Sequence, residues 1–133
     1  MSNLIQELQK DHILIVDILN AVRRQGIMSR EGKEGLNSVK DTLLAHLTKE
    51  DTKLYPVLRK ASETDAVLKQ TLDIFTRDMD EVSKAAMRFF DKYASGGQGT
   101  EFARDFGWLY ATLQSRIRKE ENTLYKAYER LNP

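Results

Sequence analysis

Cysteine is absent from this 133-residue chain. That excludes disulfides, thiolate metal sites and a cysteine nucleophile, and leaves histidine and carboxylate as the good metal-ligand types. Neither sign of charge dominates: 21 Lys plus Arg stand against 20 Asp plus Glu, so there is no large single-sign field to draw nucleic acid or another polyanion. Long apolar runs are missing too. The longest near the N-terminus is Ile13 to Val16, far short of the roughly 18 apolar residues of a membrane span, so a soluble chain with no membrane partner is expected. The opening Met-Ser-Asn-Leu-Ile-Gln-Glu has neither the basic n-region nor the apolar core of a signal peptide, which points to the cytoplasm. No Gly-rich phosphate loop with strand context and no Ser-His-Asp set can be assembled, so an enzyme is not expected. The length suits one domain, residues 1–133.

Proline occurs twice and glycine seven times, and they punctuate a helical chain. The stretch Gly26 to Gly35 reads as the break between a first and a second helix, and Ser95-Gly-Gly-Gln-Gly-Thr100 as the linker between a third and a fourth. Ser62, followed three residues later by Asp65, reads as the N-cap signature of the third helix, while Thr100 and Glu101 open the fourth. Between these breaks, inward positions recur at spacings of three and four. The first stripe is Ile5, Leu8, His12, Ile15, Leu19, Val22, and the second is Leu36, Val39, Leu43, His46, Glu50, Leu54, Val57. The third is Leu68, Leu72, Phe75, Met79, Val82, Ala86, Phe89, Tyr93, and the fourth Phe102, Phe106, Leu109, Leu113, Arg116, Glu120, Leu124, Ala127. Short linkers between long helices favour antiparallel neighbours, so the expected fold is an all-α, up-down-up-down four-helix bundle. Pro56 falls inside the second helix and predicts a kink or an early end near Thr52 to Pro56.

An internal echo carries the functional signal. His46-Leu-Thr-Lys-Glu50-Asp-Thr-Lys-Leu-Tyr55 returns as Arg116-Ile-Arg-Lys-Glu120-Glu-Asn-Thr-Leu-Tyr125, with arginine in place of histidine. Side chains at i and i+4 share a helix face, so each segment puts a polar pair into an apolar stripe. With His12 and Met79 at the matching inward places, one level of the core gathers His12, His46, Glu50, Met79, Arg116 and Glu120. Such groups must pair with one another, with water or with a metal. An inward histidine can equally be a packed imidazole, and Arg116 can equally snorkel to solvent. The neighbouring Lys49, Asp51, Lys119 and Glu121 read as solvated surface charges, and Trp108, Tyr110 and Tyr125 as packing aromatics rather than a partner surface.

Asp11-His12-Ile-Leu-Ile15 and His46-Leu-Thr-Lys-Glu50 followed by Leu54-Tyr55-Pro56 resemble the first two motifs of the hemerythrin-like, or HHE cation-binding, family. The resemblance covers nearly the whole chain and implies a four-helix bundle built to hold a non-haem di-iron centre. Asp78-Met79-Asp-Glu-Val82 is similar to the third motif with methionine in the histidine place, and Arg116-Ile-Arg-Lys-Glu120 to the fourth with arginine there. A thioether is a poor ligand beside imidazole and carboxylate, and a guanidinium offers no electron pair but can pair with Glu50 or Glu120 as a substitute cation. The ligand set that remains is His12, His46, Glu50 and Glu120. Two functions follow from it. One is a degenerate domain without a di-iron centre, without cofactor, serving as a signalling, interaction or cavity-binding module for a protein partner. The other is a working site for non-haem iron, mononuclear or reduced, of the kind the family uses in oxygen, nitric-oxide or iron sensing and storage.

Overall fold

The computed structural model describes residues 3–25, 29–94 and 99–131, and among them no strand occurs. Helix α1 spans Asn3–Gln25 and α2 Arg30–Lys49, after which a π-helical turn, Glu50–Leu54, leads into α3, Tyr55–Ser62. Helix α4 runs Ala66–Lys92, α5 Gly99–Asn122 and α6 Leu124–Leu131. Four rods result, because α2 with α3 and α5 with α6 each form one interrupted rod. The expected all-α bundle is the observed fold.

Helix starts are set by side chains that accept from orphan backbone N–H groups. Ser29 accepts from the Gly32 amide at 2.9 Å and starts α2, so Gly32 and Gly35 belong to the helix and not to the linker read from Gly26 to Gly35. Gly35 has a packing reason. A Cβ built there would lie 2.9 Å from Val22 Cγ2 on α1, so its absence lets the two helices close on each other. Asp65, accepting from Leu68 N at 3.1 Å, caps α4; Ser62, the residue read as opening the signature, instead ends α3 and donates to Arg59 O. Helix α5 opens at Gly99, one residue before the expected Thr100, at a φ of +84° that suits glycine. Gly26 and the linker residues 95–98 lie outside the described residues.

The expected disturbance at Pro56 is the π turn. The Tyr55 amide reaches back five residues to Glu50 O, a widened turn ahead of a proline that can donate nothing and crowds the Thr52 carbonyl. The extra residue rotates the stripe. Leu58 is therefore fully buried while Val57, placed inward by the sequence pattern, is 39% exposed. The last rod, read as unbroken to Ala127, breaks at Thr123, whose amide bonds Glu120 O at 3.3 Å before α6 begins.

Apolar packing forms two compartments. One holds Ile15, Leu19, Leu43, Phe89, Phe106 and Leu113 among others; the second holds Ile5, Leu8, Leu54, Leu58, Leu72, Phe75 and Leu124. Between them lie the buried polar residues His12, His46, Glu50, Arg116 and Glu120. No helix among the described residues is long and apolar enough to cross a membrane.

Candidate metal centre

The inward places of α1, α2, the π turn and α5 converge. Each of His12, His46, Glu50 and Glu120 is at most 2% exposed, and one ligand atom from each falls within 4.8 Å of all the others. His12 Nε2 lies 3.1 Å from His46 Nε2 and 3.3 Å from Glu120 Oε1, and His46 Nε2 lies 3.5 Å from Glu50 Oε2. All four residues named from the sequence thus meet at one point. Met79 is half-buried and borders the same level from α4.

The outward ring nitrogens explain how the imidazoles are held. His46 Nδ1 is 3.0 Å from Asp11 Oδ2 and His12 Nδ1 is 2.8 Å from Glu121 Oε2. A carboxylate acceptor keeps the proton on Nδ1, so a neutral ring turns the lone pair of Nε2 inward. Here both lone pairs face each other across 3.1 Å, a contact that needs a proton or a cation between them. Lys49 Nζ braces Asp11 at 3.0 Å. Asp11, Glu121 and Lys49 were missed as site residues, and the last two are corrected from solvated charges to supports. The signal that could have found Asp11 is a carboxylate beside His12 that rides on the α1 face toward α2.

Arg116 is buried, which overturns the snorkelling alternative. Its guanidinium stacks over the Phe75 ring at 4.7 Å and donates to Phe75 O at 3.1 Å and to the Tyr55 hydroxyl at 3.2 Å. The pairing with a glutamate is to Glu120 alone and is not a fork: Arg116 Nε faces Glu120 Oε2 at 3.5 Å, an ion pair without a hydrogen bond. Tyr125, read as a packing aromatic, is 1% exposed and also polar in role, donating to Glu50 Oε2 at 2.8 Å. Tyr110 is half-buried and donates to Asn20 Oδ1, whereas Trp108 is 48% exposed and does not pack into the core.

Charge at the centre is divided unevenly. Burial pulls the His46 pKa down, but hydrogen bonds and charge from Glu50 and Asp11 outweigh it and hold it above 6.5. Burial pushes Glu50 up, and the His46 contact, followed by those of Glu120 and the Tyr125 hydroxyl, outweighs that to hold it below 4.5. Glu120 ends at about 7, raised by burial and by the Glu50 charge against the opposing pull of His12 and Arg116. Burial, followed by the Glu120 and Glu50 charges, pushes the Tyr125 phenol far up. Glu50 Oε1 is buried with no hydrogen-bond partner. Beside the cluster is a cavity of about 20 Å³, walled by Ile15, Leu43, Met79, Val82, Leu113 and Arg116, room for a water-sized molecule.

A family model described as the hemerythrin HHE cation binding domain matches residues 3–128. The chain belongs to that family. No curated protein and no solved structure matches it. The family is one of non-haem iron, and this chain carries a His and Glu cluster that could hold a metal.

Proposed function

We propose that this chain is a mononuclear non-haem metal-binding domain: His12, His46, Glu50 and Glu120 would hold one ion, iron by family precedent, with the Arg116 guanidinium beside Glu120 as a fixed cation. The carrying observation is the pair of imidazole nitrogens facing each other at 3.1 Å, each ring anchored behind by a carboxylate. Two further facts support it. The orphaned Glu50 Oε1 gains a partner if a cation enters, and two imidazoles with carboxylate oxygen form a recognised non-haem iron donor set. When bound, iron supplies a redox-active Lewis acid next to the small apolar cavity. The chain's own residues orient the imidazoles and leave room for a guest no larger than water, which fits a role in sensing or holding a small molecule rather than turnover of a larger substrate.

Metal content by plasma mass spectrometry tests the proposal, on untagged protein made in iron-supplemented medium and purified without chelators. One iron per chain is expected, lost on His46→Ala. Metal-free protein that remains fully folded would sink it, and would assign Arg116 the cation's role in a purely structural polar core.

A further inference from the structure

Tyr125 lies at the cluster without being of a residue type counted among its ligands. Its hydroxyl oxygen is 2.8 Å from Glu50 Oε2 and 3.1 Å from His12 Nε2, nearer than the 3.3 and 3.5 Å that separate His12 from Glu120 and His46 from Glu50. The ring lies parallel to the His12 imidazole, 11° between planes and 5.4 Å between centroids. The break at Thr123 ahead of α6 places it there. We propose that Tyr125 Oη is a fifth protein donor to a ferric ion at this centre, an inference that rests on the one-metal reading above.

Donor hardness points this way. Phenolate is a hard oxygen donor suited to a trivalent ion, and a bound cation is the strongest local charge available to ionise a buried phenol. On binding, the Tyr125 O–H bond breaks, the oxygen's electron pair forms the bond to the metal, and the proton leaves to bulk water. No electron is transferred. Glu50, relieved of the Tyr125 hydrogen bond, has both oxygens free for the metal. With neutral imidazoles, two carboxylates and one phenolate carry three negative charges against the ferric ion's three positive ones, so the donor set neutralises the ion without calling on Arg116. Donor hardness, rather than the charge count, is what biases a site containing Tyr125 toward ferric iron.

The test loads wild type, Tyr125→Phe and Tyr55→Phe with ferric citrate and records iron per chain, visible absorption and protons released. Wild type is expected to bind iron and show a phenolate-to-iron charge-transfer band. Tyr125→Phe keeps the ring on His12 but should lose that band, release one proton fewer per iron, and bind ferric iron at least ~10-fold more weakly, the scale on which even supporting partners act. Tyr55→Phe, whose hydroxyl meets Arg116 and not the cluster, should keep the band. Iron bound without the band, or a band that survives Tyr125→Phe or vanishes with Tyr55→Phe, overturns Tyr125 as a ligand and leaves the one-metal reading standing. Wild type that takes up no iron overturns both.

Discussion

Across the polar layer, the α1–α2 side and the α4–α5 side are built differently. On the first, His12 and His46 each keep both a ring nitrogen aimed inward and a carboxylate behind it, Glu121 and Asp11, and α1 packs on α2 more extensively than any other pair of helices. On the second, Met79 and Arg116 border the same level, and α4 touches α5 sparingly. One side presents two imidazoles with carboxylates behind them, one of these, Glu121, reaching over from α5, while the other presents a fixed cation paired with Glu120.

The largest effect should come from removing that cation. Arg116→Leu leaves Glu120 beside Glu50 with no guanidinium within reach, and breaking a buried pair by deleting one partner costs about 3–5 kcal/mol. Urea denaturation of metal-free protein above pH 7 should show that loss, and iron bound by Glu50 and Glu120 should recover much of it by neutralising the two carboxylates. Equal loss with and without iron would mean that Arg116 serves packing against Phe75 rather than charge.

Next in size is a pH effect on the seam between the two sides. Glu120 is raised from 4.5 to about 7 in the fold, so its contribution to stability is complete below 4.5 and is lost as pH rises through about 7. His46, also raised, adds in the same sense above 6.5. Metal-free protein should therefore be less stable at about pH 8 than at about pH 5, by of order 3 kcal/mol for the Glu120 shift. Glu120→Gln should flatten the slope, and an unchanged slope would show that another group carries it.

Much of this was legible in the chain. The stripe of α1 predicts burial residue by residue, and that of α5 does so from Phe106 to Glu120, because a 3.6-residue period needs no knowledge of partners. The echo of His46–Tyr55 in Arg116–Tyr125 brings the polar layer together for the same reason. Val57 was misplaced because a π turn shifts register by one residue, and nothing in a periodic count reveals it. Glu121 and Lys49 escaped because their neighbours on other helices, His12 and Asp11, are set by how the rods pack. Tyr125 reads as core from its spacing, and its hydroxyl's partners depend on the break at Thr123.

The supports behind His12 and His46 give the next prediction. Asp11→Asn and Glu121→Gln each remove the carboxylate that holds a ring proton on Nδ1, and loss of such partners lowers metal affinity by roughly 10–100-fold. Competition titration against a chelator measures it. Parent-like affinity in both variants would show that packing alone orients the rings.

The smallest effect belongs to Lys49, one step further out. Its ammonium meets Asp11 at 3.0 Å where the two side chains are 26% and 22% exposed, so solvent screens the pair and its worth is at most about 1 kcal/mol. Lys49→Met keeps the aliphatic stem and removes the charge, and should weaken metal binding by no more than about fivefold. The ordering is the informative part. If support passes inward from Lys49 to Asp11 to His46, then Lys49→Met has no further effect once Asp11 is already Asn, and the double variant binds metal as the Asp11→Asn single does. If the two losses multiply instead, Lys49 acts on the centre through its own field and the chain of supports is broken at Asp11.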